Sequence, residues 1–176
     1  MRKLKTTELN RISLNEYKTS EKIPITVILD SVRSMLNVGS VFRTCDAFRI
    51  KKVLLCGITA QPPHREITKS ALGATESVDW QYYDTAAEAI ESLASNTRLL
   101  ALEQVENSIP LYDEQPNWAG EYALVLGNEV DGVSDEALSL CHDAIEIPQF
   151  GTKHSLNISV SAGIALWHFV SQFKFE

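Results

Sequence analysis

Small hydrogen-bonding side chains stand at the start of an otherwise apolar C-terminal segment. Ser155, Asn157 and Ser159 fall within five positions, and a loop of 151–154 precedes them. Ser155 is a good helix N-cap residue, and capping explains one such side chain. Three of them together favour a site in which the first turn of a helix at 155–173 binds a small molecule.

A second group of residues suited to binding lies in 126–138, LGNEVDGVSDEAL. Gly127 and Gly132 allow the backbone to approach a ligand closely. Asn128 and Glu129 follow a predicted strand directly, so their side chains and amides can converge on a small molecule. A turn followed by a helix starting at Ser134 is the ordinary alternative explanation.

A third group, NVGSVFR at 37–43, begins a predicted helix behind another strand. Asn37 is expected to cap this helix. Arg43 lies less than two turns further on and could hold a phosphate through two parallel hydrogen bonds. The alternative is an ordinary surface arginine. His154 is the one histidine in these loops, and the dinucleotide, P-loop and nucleophile-elbow fingerprints are absent from the sequence.

Strand and helix patterns alternate along the chain, which predicts an α/β fold with a parallel sheet flanked by helices. In such sheets ligands bind at the carboxyl ends of strands, which selects the loops at 30–40, 102–108, 127–136 and 147–157. The predicted strands are 25–30, 51–57, 76–83, 98–105, 121–127 and 143–148. The predicted helices are 38–48, 65–74 (or a turn), 85–95, 134–141 and 155–173.

The amino-acid composition limits the type of protein that the chain can form. The chain has 176 residues, 44% of them hydrophobic and 22% charged, which indicates one soluble globular domain. Its net charge of −7 argues against a nucleic-acid partner, but residues 1–52 hold eleven Lys and Arg against five Asp and Glu. That excess predicts either a cationic patch or a solvated N-terminal helix. Three unpaired cysteines, and no secretory or membrane-spanning pattern, favour a cytoplasmic location.

The three loops in this order resemble motifs one, two and three of the SpoU family of RNA ribose 2′-O-methyltransferases, in the SPOUT superfamily. The matching stretches are NVGSVFRTCDAF, LVLGNEVDGVSDE and IPQFGTKHSLNISVSAGIALW, and KSALGATESV resembles the segment between motifs one and two. The resemblance covers about residues 25–170. It implies a C-terminal trefoil knot, S-adenosylmethionine as cofactor, no metal, and a homodimer whose sites use both subunits. We expect a short basic helical extension at 1–24 and the catalytic domain at 25–176.

The resemblance also implies roles for individual residues. Those expected to be catalytic are Asn37, Arg43, Glu129, Ser155 and Asn157. Those expected to bind the cofactor are Leu102, Gly127, Asn128, Ile147 and Leu156. Arg43 is either a general base or an orienting cation, since a guanidinium loses its proton only at great cost.

The expected substrate is a structured RNA, with tRNA ranked first and ribosomal RNA second. The basic segment MRKLKTTELNR would bind phosphates with a marked salt dependence. Two alternatives stay open: an RNA-binding or assembly factor that kept the fold without catalysis, and a small-molecule methyltransferase.

Overall fold

The computed structural model describes residues 1–175, and its centre is a seven-stranded sheet in which every pairing is parallel. The spatial order of the strands is β3-β2-β1-β6-β4-β7-β5. The strands are β1 Ile23–Asp30, β2 Ile50–Cys56, β3 Asp79–Tyr83, β4 Arg98–Leu102, β5 Ile109–Pro110, β6 Tyr122–Leu126 and β7 Asp143–Glu146.

Helices occupy most of the connections between consecutive strands, and one further helix lies near each end of the chain. They are α1 Leu14–Thr19, α2 Met35–Ala47, α3 Arg65–Ala71, α4 Ala74–Ser77, α5 Ala86–Glu91, α6 Asp135–Leu140 and α7 Ile158–Val170, with 3₁₀ turns at Thr6–Glu8 and Leu111–Asp113. Within residues 1–175, none of these helices has the length and apolar character needed to cross a membrane.

Two hydrophobic clusters lie on opposite faces of the sheet. Phe42 of α2 and Phe169 of α7 are fully buried in the larger cluster. Ala89 of α5 and Ala137 of α6 are buried in the smaller one. The central strands β1 and β6 contribute side chains to both clusters, which explains their continuous apolar sequences. The α/β parallel architecture expected from the sequence is therefore confirmed.

The predicted strands are found, with shifted ends. The strand predicted at 98–105 ends at Leu102, and the one predicted at 76–83 begins at Asp79 because α4 occupies Ala74–Ser77. Strand β5, which has two residues and pairs with the end of β7, was not predicted from the sequence. The trefoil knot stays a prediction.

Helix α1 is the helical part of the basic N-terminal segment. Ser13 and Glu16 form a reciprocal capping box at its start. Tyr17 is buried in the larger cluster, and Lys18 forms an ion pair with Asp79 at 2.6 Å. Helix α1 is thus packed onto the sheet domain through Tyr17, whereas residues 1–5 are exposed.

Candidate active site

A cavity of about 390 Å³ opens where β4, β6 and β7 end and the loop before α7 begins. We call it the pocket. All five residues expected to bind a cofactor line it: Leu102, Gly127, Asn128, Ile147 and Leu156. Glu129, Ser155 and Asn157 from the expected catalytic set line it too. The edge of the sheet selected from the sequence is thus where the cavity lies.

The part of the pocket wall that follows β6 in the chain is a tight backbone turn. The amide of Asn128 donates to the carbonyl of Gly132 at 2.8 Å, and the amide of Gly132 donates back at 3.0 Å. Gly132 has φ +73°, a conformation that favours glycine. A Cβ on Gly127 would lie 2.0 Å from the carbonyl carbon of Gly132. Both glycines are therefore required by the turn itself.

Beside the pocket, Asn37, Glu129 and Asn157 form a chain of hydrogen bonds, which we call the amide–carboxylate network. The Asn37 side-chain amide donates to Glu129 Oε1 at 3.0 Å. The Asn157 side-chain amide donates to Asn37 Oδ1 at 3.2 Å. Residues that lie 92 and 120 positions apart in the sequence therefore meet through their side chains.

Glu129 is also bound by the loop between β1 and α2. Its Oε2 accepts the Arg33 amide at 2.9 Å, and its Oε1 accepts the Ser34 amide at 3.0 Å. Burial raises the pKa of this carboxyl, but the Arg33 and Ser34 amides and then the Asn37 side chain outweigh it. The pKa of Glu129 is lowered as a result. An ionised carboxylate of low pKa is a weak base, so Glu129 is suited to holding the network together.

Two capping predictions are wrong, and the corrections matter for the site. Helix α7 begins at Ile158 with Asn157 as its cap, whereas Ser155 lies in the preceding loop. Asn157 Oδ1 accepts both the Ser159 amide at 2.9 Å and the Ser159 hydroxyl at 2.7 Å. The cap of α2 is Ser34, whose hydroxyl accepts the Asn37 amide, because the helix begins two residues before Asn37.

These corrections change the explanation of the polar segment before α7. Asn157 caps the helix and reaches Asn37 at the same time, since its oxygen serves the cap and its amide serves the network. Ser155 is exposed and faces the pocket, outside the helix. The Asn37 side chain is likewise available for the network because Ser34 performs the capping.

Arg43 does not join the other expected catalytic residues. It lies six positions after Asn37 on α2, which places it about 120° around the helix axis and about 9 Å along it. Gly39, one turn before it, packs against α3, where an added Cβ would lie 2.1 Å from Ser70 Oγ. Arg43 is exposed on that side, outside the set of described residues that line the pocket.

Glu103 and Gln104 line the pocket next to Leu102 and were not among the residues predicted from the sequence. Glu103 Oε2 accepts the Val133 amide at 3.0 Å, which joins the loop after β4 to the turn after β6. The Gln104 side chain donates to the His154 carbonyl at 2.8 Å, which joins the same loop to the segment before α7. The available signal was two long polar residues directly after a buried strand.

Other polar side chains, of which Asp30 and Thr59 are buried, bind the backbone of these loops. Asp30, at the end of β1, accepts the Ser134 amide at 2.9 Å. The Asn128 side chain donates to the Ser31 carbonyl at 2.7 Å. Thr59 accepts the Val32 amide at 2.9 Å and is buried. The loops after β1 and β6 are therefore fixed to each other by side-chain bonds to backbone.

The cysteines and metal-binding side chains offer no competing chemistry in the described part of the chain. Cys45, Cys56 and Cys141 are free thiols. Burial raises the pKa of Cys141 to about 11, which leaves the unreactive thiol form at neutral pH. No group of three or more His, Cys, Asp or Glu residues within 1–175 is arranged to hold a metal ion.

Comparison with known proteins defines the class of this chain. The model of the SpoU rRNA Methylase family matches residues 24–167, so the chain belongs to that family. It is 30% identical over 165 residues to the 23S rRNA (guanosine-2'-O-)-methyltransferase RlmB of Vibrio vulnificus. That match covers 94% of this chain and 66% of the relative, so the chain spans just under two thirds of the relative's length.

Two solved structures support the fold assignment. An AdoMet-bound rRNA methyltransferase from Sinorhizobium meliloti matches with a TM-score of 0.77 and 25% identity, over 84% of this chain and 56% of that one. A structure described as giving insights into the 2-OH methylation of C/U34 on tRNA matches with a TM-score of 0.75 and 25% identity. That match covers 84% of this chain and 95% of the other.

Proposed function

We propose that this chain transfers a methyl group from S-adenosylmethionine to a ribose 2′-hydroxyl of RNA. The observation that carries the proposal is the amide–carboxylate network at the side of the pocket. Asn37, Glu129 and Asn157 come from three separate motifs of the family and meet in one set of hydrogen bonds. Family membership and the shape of the pocket support the same reaction.

The pocket suits the proposed cofactor. Its volume of about 390 Å³ falls in the range of small-molecule sites. Leu102, Ile147 and Leu156 offer apolar surface for an adenine ring, and the backbone turn after β6 offers polar groups beside it. S-adenosylmethionine, when bound, supplies a methyl group activated by the positive charge on its sulfur.

The chain's own residues would hold the ribose next to the pocket. The side-chain amide of Asn37 has two hydrogens, and Glu129 accepts a hydrogen bond from one of them. The other hydrogen can be donated to a substrate oxygen. The Ser155 hydroxyl is exposed and can donate or accept at the same place. Because Glu129 accepts hydrogen bonds from two backbone amides and the Asn37 side chain, we assign it to positioning Asn37 and not to proton transfer.

A second copy of the chain would complete the site. Val160, Ile164 and Trp167 form an apolar stripe on α7 and are 49%, 40% and 58% exposed. Trp167 also packs against Phe48 at the end of α2, with ring centroids 5.8 Å apart. We propose that this stripe is buried in a homodimer, and that Arg43, which faces away from its own pocket, acts in the partner's site as a base or an orienting cation.

For the substrate we now favour ribosomal RNA, which reverses the order given by the sequence analysis. Support comes from RlmB relatives, which are named as 23S rRNA methyltransferases. Transfer RNA stays the second candidate, because the structure concerned with C/U34 on tRNA is matched over 95% of its length. The exposed cations Arg2, Lys3, Lys5 and Arg11 would bind RNA phosphates in either case.

Other features of the proposal rest on the family. The knot would be formed by the C-terminal segment that includes α7, and residues 1–24 would serve as a basic extension of the catalytic domain. The free thiols fit a cytoplasmic location.

A label-transfer assay tests the proposal. The protein and S-adenosylmethionine labelled on its methyl group would be incubated with unmodified ribosomal RNA and, separately, unmodified tRNA, followed by nucleoside analysis. We expect a labelled 2′-O-methylnucleoside from ribosomal RNA. Label in tRNA alone would overturn the substrate order. Cofactor binding without transfer to either pool would favour the non-catalytic RNA-binding alternative.

A further inference from the structure

Glu103 presents a fixed carboxylate to the pocket. Its Oε2 accepts the Val133 amide at 3.0 Å, and its Oε1 accepts the Gln104 amide at 2.9 Å. Gly132 lies directly against it, since a Cβ there would be 2.3 Å from Glu103 Oε2. Two backbone donors and a close neighbour therefore hold this charge in one orientation, in the pocket proposed to bind the cofactor.

The charges around the pocket have a single sign. Glu103, Glu129 and Glu146 line it, and no Lys, Arg or His occurs among the described residues that do so. Glu129 is directed towards the loop between β1 and α2, where its hydrogen-bond donors lie. Glu103 lies on the other side, at the end of β4. A concave site lined by carboxylates favours a cationic ligand over a neutral ligand of the same shape.

The cofactor and the product of the proposed reaction differ in this respect. S-adenosylmethionine carries a sulfonium, an ammonium and a carboxylate, and so has one net positive charge. When the methyl group leaves, the sulfur becomes a neutral thioether, and S-adenosylhomocysteine has no net charge. Apart from the methyl group, the two molecules have the same shape.

We propose that Glu103 is a specificity-determining residue that makes the pocket prefer the cationic cofactor to the neutral product. The inference rests on the proposed function, because it requires that this pocket binds S-adenosylmethionine. Loss of the positive charge at each methyl transfer removes the attraction to Glu103 and weakens the hold on the product. The product then leaves more readily, and fresh cofactor competes for the pocket more effectively.

The test compares ligand affinities by calorimetry for S-adenosylmethionine, S-adenosylhomocysteine and sinefungin, an unreactive analogue with an amine in place of the methylated sulfur. Glu103→Gln removes the charge and keeps an oxygen for the Val133 amide. Glu106→Gln is the matched control, since Glu106 is exposed in the same loop and lies outside the described pocket lining. Glu103→Asp keeps the charge on a shorter side chain.

We expect Glu103→Gln to weaken S-adenosylmethionine and sinefungin about fivefold and to leave S-adenosylhomocysteine within about twofold. Glu106→Gln should change none of the three, and Glu103→Asp should keep the preference for the cations. Equal weakening of all three ligands by Glu103→Gln, or no change in any of them, would overturn this inference and leave the proposed function standing. A wild-type protein that binds none of them would overturn both.

Discussion

One wall of the pocket is a backbone turn, whereas the amide–carboxylate network beside the pocket is formed by side chains. The turn after β6 needs glycine at 127 and 132 because the chain passes so close to itself. The network needs particular amide and carboxylate groups at 37, 129 and 157. In a single chain, all five residues expected to bind the cofactor line the pocket. Arg43 does not reach the network, because it faces about 120° away from Asn37 around the helix axis. Under the proposed function, binding the cofactor and acting on the ribose would thus be separable tasks.

Removal of Arg43 should have the largest effect on methyl transfer relative to its effect on cofactor affinity. Arg43→Ala should lower methyl transfer by about 100-fold or more, since the proposed dimer brings this charged group to the reacting oxygen in the partner's site. Cofactor affinity should stay within about twofold, because Arg43 lies outside the pocket lining. Single-turnover transfer and calorimetry on the same preparation measure both quantities. Loss of cofactor affinity would contradict the assignment.

Mixed dimers sharpen this prediction. Arg43→Ala and Asn37→Ala chains, each inactive alone, would be combined. If Arg43 acts in the partner's site, one of the two sites in each mixed dimer contains both residues and regains activity. If Arg43 acts in its own chain, every site lacks one of them and the mixture stays inactive.

Damage to the pocket should affect cofactor binding first. In Gly127→Ala the new Cβ would lie 2.0 Å from the Gly132 carbonyl carbon, so the turn must shift. We expect methyl transfer to fall on the order of 100-fold, accompanied by weaker cofactor binding. Gly151→Ala is the control, since a Cβ there meets no atom within 4 Å and Gly151 lies outside the described pocket lining. Normal cofactor affinity in Gly127→Ala would show that the turn does not shape the site.

The basic N-terminal segment should affect RNA binding alone. Deletion of residues 1–11 removes Arg2, Lys3, Lys5 and Arg11, and should weaken RNA binding about tenfold at low salt. Arg2 and Glu8 form an ion pair at 2.8 Å, and both lie within the deleted segment. Among the described residues, the deletion therefore breaks no ion pair with the rest of the chain, and we expect the shortened protein to fold. A variant with these four residues changed to Gln controls for length. An unchanged salt dependence of RNA affinity would place the RNA contacts elsewhere.

The smallest expected effect concerns stability and pH. The folded-state pKa of Glu129 lies below its ordinary value of 4.5, because hydrogen bonds from Arg33, Ser34 and Asn37 outweigh its burial. Its contribution to stability is therefore complete above about pH 4.5 and is lost as pH falls through the lower folded-state pKa. Glu129→Gln should lower the melting temperature by about 2–4 °C at pH 7. A difference that persists unchanged at the lowest pH would contradict the ionised network.

The sequence was sufficient for the sheet and for most of the pocket. The apolar strands and the polar loops that follow them predict both the parallel architecture and the edge where Gly127, Glu129 and Ser155 gather. It led to Asn37 as the cap of α2, where the structure has Ser34, because both are good capping residues and only the loop geometry selects one. Glu103 was missed because its role depends on Val133, which lies 30 positions away. The direction of Arg43 depends on which face of α2 packs against α3.

The most direct test measures methyl transfer and cofactor binding side by side for the wild-type protein and Asn37→Ala. With ribosomal RNA, the wild-type protein should yield a labelled 2′-O-methylnucleoside. Asn37→Ala should yield none while binding S-adenosylmethionine within about twofold of the wild-type affinity, since Asn37 belongs to the network and not to the pocket lining. A methyl group found on a base instead of the ribose, or full transfer by Asn37→Ala, would contradict the account.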